Sequence, residues 1–569
     1  MRTRTRRTLL ACVASGLLCA CATIPTSGPI KAGVAVGAGS GAQAIRVIAA
    51  PPRAGMTPTE IVQGFLVASA SFSDQAATAR EYLTPARASS WHPGIGVQVF
   101  AQDGLQLAAT DSDVSAHGQL VATIGPTGEY RLAAAPISKS IPFALTRVAG
   151  QWRISSVPDG LLLSEFDVAR AFRSYDVYYF DPKFQVLVPD PLTLPVLGSA
   201  AATQVVQNLL AGPTPWYAKS VRTAFPPGTH LTVDAVPIVN GVAEVDLSSA
   251  VLAAGSASRV ALAAQLVWSL KTLPEISAVR ITVAGQPFLV PGASSVESAD
   301  SWPQFDPSAS GPDNSAVALV DGTVRGFSPS TASPTAALAT SGSGTAPFAA
   351  ISWDGATVAA AGAGGISLGP IGVKALRLIN ESVMARPSFD RFGGLWWVSL
   401  GRLRYLSDAA PLEPKIAGTQ RPVTIAILGL AKVSLVSIAV ARDGIRAAVI
   451  VKTSSGNQLL FGRVSNNGGL LLDGLRRGIA IDLDVAATAW ADADHVVVLG
   501  SVADGEPQAY LVDVAHGASQ PLGAPSSPMS IAALSGQPIL IGAADGLVYQ
   551  SIGGAWTATG SGSNPTYPG

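Results

Sequence analysis

Cysteine is scarce in this sequence of 569 residues, which contains Cys12, Cys19 and Cys21 and no other cysteine. All three lie within the first 21 residues, so the rest of the chain has no thiol with which to form a disulfide. This distribution excludes a disulfide-stapled domain and a centre with several cysteine ligands. The five histidines are scattered, and no spacing of histidine and cysteine is typical of a metal site. We therefore predict neither a metal nor a cofactor.

Charge is also scarce, since 13% of the residues are Asp, Glu, Lys or Arg and the formal net charge is zero. No basic stripe is present, so nucleic acid is not an expected partner. Glycine and proline are plentiful, with 58 and 41 residues, which favours short strands and turns over long charged helices. A chain of this length exceeds what one hydrophobic core supports, and we expect three or four domains.

Uninterrupted apolar segments of membrane-spanning length are missing after the first 20 residues. The most apolar later stretch, 423–451, is broken by Lys432, Arg442, Asp443 and Arg446. A transmembrane helix needs about 20 consecutive apolar residues with few charges. We therefore interpret this stretch as strands of a folded domain.

Residues 1–20 have the pattern of an export signal peptide, with four arginines before an apolar stretch that is too short to span a bilayer of about 30 Å. The stretch ends in Leu18-Cys19-Ala20-Cys21, which resembles a bacterial lipobox. In a lipobox the cysteine after the cleavage site receives a diacylglycerol on its thiol. We predict cleavage before Cys21, S-diacylglycerol and N-acyl groups on Cys21, and a lipid anchor on the extracytoplasmic face of the cell membrane. An ordinary signal peptide with an incidental cysteine is the alternative.

Two segments follow the predicted signal peptide. Residues 21–52 are rich in Gly, Ala, Ser and Pro, which predicts a flexible tether. Residues 53–175 begin with helical patterns after Thr57 and over 78–83, and continue with alternating segments. Helices followed by a curved antiparallel sheet suggest an N-terminal α+β domain that is cone-shaped, NTF2-like or similar.

Residues 176–292 predict a second α+β domain. Asn240-Gly241 separates two alternating segments and predicts a β-hairpin. A helix is predicted over 258–273, because Pro274 directly after it would end a helix. A last strand is predicted over 279–283.

Several phrases in this second domain resemble the GerMN domain: LLAGPT, FPPGTHL, NGVAEVDLS, AAQLVWSL and ITVAGQP. The lipobox is followed closely by IPTSGPI, and the order of the blocks adds to the match. The whole chain thus resembles the LpqB family of actinobacterial lipoproteins.

Residues 293–315 are polar and rich in Ser, Pro and Gly, which predicts a linker. From 316 to 557 a pattern of strand, turn and strand recurs. We predict an all-β, propeller-like domain of five or six blades over 316–557 and a disordered tail over 558–569. A β-sandwich is the alternative to the propeller.

Four aspartates mark this repeat, at intervals of 36, 53 and 49 residues: Asp354, Asp390, Asp443 and Asp492. Each interval fits one four-stranded blade. An aspartate can accept hydrogen bonds from its own turn, and a following glycine tolerates positive φ. The segment after each turn is apolar, as expected for a strand between packed blades.

Other patterns superficially suggest chemistry. The motif around Ser367, Gly365 to Gly369, matches the G-x-S-x-G nucleophile elbow, but Pro370 follows where that elbow requires a helix. We interpret it as an inter-strand turn, because a hydrolase would also need a histidine near Ser367.

Two clusters of acidic residues also suggest chemistry. Asp492, Asp494 and His495 are close in sequence and are a candidate cation site, although Asp492 fits the repeating turn. Glu244 and Asp246 alternate on one strand face, which predicts that both face water rather than form an acid/base pair. We predict no catalytic residue and no enzymatic activity.

The resemblance to the LpqB family implies a non-enzymatic accessory of a two-component sensor kinase of the MtrA–MtrB type. It implies binding to the extracytoplasmic domain of an MtrB-like kinase, with effects on cell-wall and division signalling. The alternative is a lipoprotein that binds a cell-wall glycan or small ligand. Four tryptophans could then stack on sugars, or pack between blades: Trp353, Trp396, Trp397 and Trp490.

Overall fold

The computed structural model describes residues 49–71, 76–110, 113–196, 200–327, 337–338, 346–370, 377–410, 422–429, 434–466, 469–503 and 505–569. The predicted signal peptide, Cys21 and most of the predicted tether lie outside the described residues. In the described ranges, no helix is long and apolar enough to cross a membrane.

The N-terminal domain begins with helices because its sequence supplies their caps. Thr57 and Glu60 form a reciprocal capping box, in which Glu60 Oε2 accepts from the Thr57 amide at 2.7 Å and Thr57 Oγ1 accepts from the Glu60 amide at 3.3 Å. Ile61 and Phe65 on this helix are buried in the domain core. The helices are α1 (Pro58–Ser69), α2 (Ala77–Arg80), α3 (Pro85–Ser90) and α4 (Glu165–Ala171).

The strands of this domain form a six-stranded sheet in the order β5-β4-β3-β1-β6, with β2 paired to β3. The strands are β1 (Val97–Phe100), β2 (Gln106–Ala109), β3 (Asp113–Ile124), β4 (Tyr130–Val148), β5 (Gln151–Ser156) and β6 (Leu161–Ser164). The prediction of an α+β domain is confirmed, whereas the cone-shaped NTF2-like form stays a prediction. Strand β4 is continuous through residues 134–140. The sequence of this segment does not show the alternation of apolar and polar residues expected of a strand, because most of its side chains are exposed.

The second domain contains a two-stranded ribbon, two helices and a five-stranded sheet. Its elements are β7 (Phe172–Phe180), β8 (Leu187–Pro195), α5 (Ala201–Ala211), β9 (Ile238–Val239), β10 (Val242–Leu247), α6 (Ser256–Leu270), β11 (Ala278–Val283), β12 (Gln286–Pro287) and β13 (Glu297–Ser298). Strands β10 and β11 are parallel, and α6 connects them. Asn240 and Gly241 have φ of 52° and 80°, so the predicted hairpin between β9 and β10 is confirmed.

Polar groups on the buried helix α6 fasten it to the ribbon. The Gln265 side chain donates to the Tyr178 carbonyl at 2.9 Å, and Ser269 Oγ accepts from the Tyr178 amide at 2.9 Å. Both side chains are fully buried, where an unpaired polar group would be costly. The helix therefore fixes β7 in place by hydrogen bonds as well as by apolar packing.

The segment 293–315 is ordered and packs onto this second domain. Glu297–Ser298 pairs with β11, and the ring of Phe305 lies 5.0 Å from that of Phe180. It links the domains in sequence, as predicted, but its apolar side chains make it part of the second domain's packing.

The described residues that follow form six sheets. They confirm the predicted propeller-like domain, with six blades, the higher of the two predicted numbers. Their strands are β14 (Ala316–Val320), β15 (Thr323–Phe327), β16 (Ala337–Leu338), β17 (Phe348–Ile351), β18 (Thr357–Gly362), β19 (Gly365–Pro370), β20 (Arg377–Ile379), β21 (Ser388–Phe389), β22 (Leu395–Ser399), β23 (Arg402–Leu406), β24 (Val423–Thr424), β25 (Ala426–Ile427), β26 (Ser434–Val440), β27 (Arg446–Thr453), β28 (Gly456–Asn466), β29 (Leu470–Arg477), β30 (Asp484–Trp490), β31 (His495–Ser501), β32 (Gln508–Asp513), β33 (Ser519–Gly523), β34 (Pro528–Ala532), β35 (Leu540–Ala543), β36 (Leu547–Ile552), β37 (Ala555–Ser561) and β38 (Ser563–Thr566).

The last strand closes the ring, which corrects the prediction of a disordered tail over 558–569. Strand β38 pairs with β14, so the first blade has the order β16-β15-β14-β38. Tyr567 is buried, and its hydroxyl donates to the Pro538 carbonyl at 2.8 Å. The segment looked disordered because it is short and rich in Gly, Ser and Pro, while its pairing partner lies at the opposite end of the domain sequence.

Candidate functional site

The aspartate turns of the propeller have the predicted geometry. Asp390 Oδ1 accepts from the amides of Phe392 and Gly394, both at 2.9 Å, and Oδ2 accepts from Trp396 Nε1 at 2.8 Å. Asp443 Oδ1 accepts from the Ile445 amide at 2.8 Å, inside its own turn. These turns connect the first and second strands of their blades, so they lie at one end of the propeller.

We call this end the junction face and define it by the turns of Asp354, Asp390, Asp443 and Asp492 together with the turn at 514–518. The opposite end of the propeller is the open face, defined by Met384, Leu400 and Val502, which lie in connections, and by Met529 near the start of strand β34. Because adjacent strands are antiparallel, successive turns alternate between the two faces.

The junction face is packed against the preceding segments of the chain. Arg391, beside Asp390, donates to the Asp306 carbonyl at 3.2 Å and stacks on Trp353 with 4.8 Å between guanidinium and ring centre. Trp353 Nε1 donates to the Ala309 carbonyl at 3.2 Å. Residues 306–309 thus bind the turns of two adjacent blades.

Trp216 of the second domain contacts strand β29 of the fourth blade. Its Nε1 donates to the Gly474 carbonyl at 2.6 Å, and the Arg476 guanidinium lies 4.3 Å from the centre of its ring. Gly474 has φ of 64°, and a Cβ there would lie 2.8 Å from Trp216 Nε1. The close approach requires the absence of a side chain at this position.

Histidine contacts join the N-terminal domain and the ribbon to the fifth blade. The ring of His516 lies 4.8 Å from that of Tyr130, edge to face, and its Nε2 is 2.9 Å from Thr193 Oγ1. The three folded parts of the chain therefore meet at the junction face.

Titratable groups at this junction have shifted pKa values. The hydrogen bond with Asp492, 3.0 Å from Nδ1 to Oδ1, raises the pKa of His495 to about 9. Burial raises the pKa of Asp176, and the nearby charge of Asp494 adds to this. Burial likewise raises the pKa of Asp494.

The candidate cation site at Asp492, Asp494 and His495 is not supported. The described residues contain no group of three or more side chains arranged to hold a metal ion. The Nδ1 atom of His495 is hydrogen-bonded to Asp492 Oδ1 at 3.0 Å. Asp492 instead accepts hydrogen bonds from the amides of Asp494 and His495, at 2.8 and 2.7 Å.

Ser367 does not lie on a nucleophile elbow. The sequence Gly365–Pro370 is strand β19, where Ser367 pairs with Ala360 on one side and Leu378 on the other. The inter-strand turn lies at residues 363–364, just before the motif. Our prediction that the motif itself forms this turn was therefore wrong.

Glu244 and Asp246 are both bonded on one face of β10. Arg280 donates to Glu244 at 2.6 Å, and Asp246 accepts from Thr282 Oγ1 at 2.6 Å. These bonds give each carboxylate a structural partner.

The tryptophans pack within the protein. Trp396 and Trp397 are fully buried, and Trp490 is buried with its Nε1 donating to the Ala439 carbonyl at 2.9 Å. Trp353 is partly buried beneath Arg391. These positions favour packing over sugar stacking, which needs an exposed ring.

A cavity of about 430 Å³ occupies the axis of the propeller. Residues from the innermost strand or its flank in all six blades line it, including Phe348, Ser388, Ile438, Thr488, Ile531 and Thr566. Two arginines, Arg386 and Arg442, also line it. Sequence analysis did not single out this pair as a site, although each is a charged residue within an apolar context.

Comparisons with known proteins give the same domain order. The family model "Lipoprotein LpqB, N-terminal domain" matches residues 51–169, "Sporulation and spore germination" matches 176–288, and "Lipoprotein LpqB beta-propeller domain" matches 319–568. These matches confirm the predicted resemblance and fold class. Among solved structures, the tandem GerMN domains of the sporulation protein GerM from Bacillus subtilis are 19% identical, with a TM-score of 0.20, and cover 27% of this chain and 59% of that chain.

Full-length relatives extend the match over nearly the whole chain. Lipoprotein LpqB of Streptomyces coelicolor is 28% identical and covers 97% of this chain and 96% of its own length. Lipoprotein LpqB of Thermobifida fusca is 31% identical, over 98% of each chain. The chain therefore belongs to the LpqB family of lipoproteins.

Proposed function

We infer that this protein is a lipoprotein anchored through Cys21 on the extracytoplasmic face of the membrane, where it acts as a non-enzymatic accessory of an MtrB-like sensor kinase. Family membership and the Leu18-Cys19-Ala20-Cys21 pattern support the anchor. Loss of membrane association in a Cys21→Ser variant, measured by membrane fractionation, tests it.

The observation that carries the accessory function is the contrast between the two faces of the propeller. The junction face is used for packing within the chain, while the open face presents apolar side chains to solvent. Leu400 is 91% exposed, Met384 76% and Met529 67%. Because these exposed apolar side chains lie at one end of the propeller, this end is the surface that we assign to partner binding.

A contact at this face can modulate a kinase only if the lipoprotein binds two kinase states with different affinities. Anchoring both proteins in one membrane raises their effective concentration, so a weak contact is sufficient. The glycan-binding alternative has less support, because the tryptophans proposed to stack on sugars are largely enclosed.

Calorimetry between the mature chain and the extracytoplasmic domain of the cognate kinase tests the proposal. We expect saturable one-to-one binding, which the double variant Met384→Asp/Leu400→Asp weakens at least tenfold. Leu289→Asp is the matched control, because Leu289 is 76% exposed but lies in the second domain. No binding at high micromolar concentrations, with both proteins folded, would refute the direct contact. An effect of the control alone would move the contact to the second domain.

A further inference from the structure

The axial cavity of the propeller is a low-polarity chamber that carries positive charge. Most of its wall consists of alanine, valine, isoleucine, proline and aromatic side chains. Arg386 and Arg442 are the only charged side chains among the described residues that line it. Met384 and Met529, which are exposed at the open face, also line the cavity, so it reaches solvent on that side.

Neither arginine has a carboxylate partner in the described part of the chain. Arg442 is 8% exposed and donates one hydrogen bond, from Nη2 to the Pro568 carbonyl at 3.0 Å. Arg386 is partly buried and donates to the carbonyls of Ile531 and Pro565, at 3.0 and 2.8 Å. The Nε of each is buried and bonds to no protein acceptor.

Two other buried arginines of the same propeller are paired with carboxylates. Arg446 pairs with Asp443 at 2.5 Å, and Arg463 pairs with Asp473 at 2.5 Å. A buried charge without a counter-charge is costly, so native proteins normally pair it or use it. The two cavity arginines differ from Arg446 and Arg463, because neither has a carboxylate partner among the described residues.

We propose that this cavity binds a small organic anion, whose carboxylate or phosphate group accepts hydrogen bonds from the Arg442 guanidinium and is attracted by the positive charge of Arg386. Guanidinium groups suit both oxyanions because their N–H groups form a fork that matches the two oxygens. Ser530, whose buried Oγ has no protein partner, adds a further polar group to the wall. The apolar remainder of the wall fits the carbon body of such a molecule better than a bare inorganic ion.

The electrostatics of the cavity agree with this assignment. Burial lowers the pKa of Arg386 to about 10. Burial and repulsion from Arg391 lower the pKa of Arg442 to about 10, while a weaker attraction by Asp492 acts in the opposite direction. Both groups remain protonated at neutral pH, and the charge of an anion in the cavity would attract them and offset the effect of desolvation on their pKa values. The size of about 430 Å³ lies within the usual range of small-molecule sites, about 300–1,000 Å³.

Two matched pairs of probes test the proposal on the full-length chain in detergent. Glucose 6-phosphate is compared with glucose, and benzoate with benzyl alcohol, by calorimetry at constant ionic strength. We expect at least one anion to bind saturably with one site and at least tenfold more tightly than its neutral counterpart. The pair that shows the difference identifies phosphate or carboxylate as the preferred group.

Variants then separate the cavity from other basic groups. Arg386→Gln and Arg442→Gln should each weaken anion binding at least tenfold, whereas Arg402→Gln, which alters an exposed arginine of β23, should leave it unchanged. If a glutamine variant does not fold, the lysine variant at the same position replaces it. Lysine keeps the positive charge but lacks the forked N–H groups of a guanidinium, so this variant should bind the anion with intermediate affinity. Equal binding of anions and neutral probes would overturn the proposal, as would undiminished binding by the cavity variants. The outcome does not depend on the kinase contact.

Discussion

The two faces of the propeller are built from the same strand repeat and have opposite uses. At the junction face, Asp390 and Asp443 accept hydrogen bonds from their own turns, and neighbouring arginines and tryptophans reach the preceding domains. At the open face, Leu400 stands almost fully exposed with φ of 49°, a conformation that favours glycine or asparagine. We therefore expect stability to be concentrated at the junction face, which would leave the open face available for binding.

The largest difference between the faces should appear when one turn aspartate is removed from each. Asp443→Ala deletes two backbone hydrogen bonds and leaves Arg446 buried without its counter-charge. We expect a loss of about 3–5 kcal/mol in the free energy of unfolding. Urea unfolding followed by tryptophan fluorescence measures it.

The control for this prediction is Asp545→Ala on the open face. Asp545 is exposed and accepts from the Leu547 amide at 3.0 Å and from the Tyr549 hydroxyl at 2.6 Å. Its replacement should shift the unfolding midpoint only slightly. Comparable shifts for the two variants would contradict the concentration of stability at the junction face.

A smaller difference is expected from two glycines with similar backbone conformation. Gly474 and Gly546 have φ of 64° and 79°, so alanine incurs similar backbone strain at both. At Gly474 the new Cβ would also collide with Trp216, while nothing lies within 4 Å at Gly546. Gly474→Ala should therefore be more destabilising by about 1–3 kcal/mol, measured by thermal unfolding. Equal costs would show that Trp216 can move aside freely.

The smallest expected effect is a pH dependence at the junction face. The pKa of His495 in the folded protein is raised to about 9, so its ion pair with Asp492 stabilises fully below pH 6.5 and is lost as pH rises to 9. The pair is about one-third exposed and screened by solvent, so we expect about 0.2–1 kcal/mol. The melting temperature of wild type should exceed that of His495→Asn at pH 6, and the gap should close by pH 9.5. A constant gap across this range would count against the ion pair.

Local patterns predicted much of this molecule. The Asp turns were predictable because the aspartate side chain accepts hydrogen bonds from backbone amides no more than four residues away. The hairpin at Asn240-Gly241 was predictable because its turn needs positive φ at both positions, which these two residue types tolerate. Each of these structures is determined by neighbours in sequence, so a single chain reveals it.

Features that depend on distant partners escaped sequence analysis. Trp216 and Gly474 are 258 positions apart, and nothing near either residue indicates their hydrogen bond. The cavity forms only when six innermost strands meet, so the proximity of Arg386 and Arg442 to one chamber was not visible in the sequence. The closing strand β38 was missed for the same reason, since its stability comes from β14.

The pairing of β38 with β14 has a consequence for how the protein matures. Strand β14 is synthesised long before residues 563–566, and until they are available one of its edges is unpaired. Unpaired strand edges promote association between chains, which cells limit with chaperones. Closure of the propeller is therefore a late event in biogenesis, and a chain that stalls before its final strand would expose an open strand edge to cellular quality control.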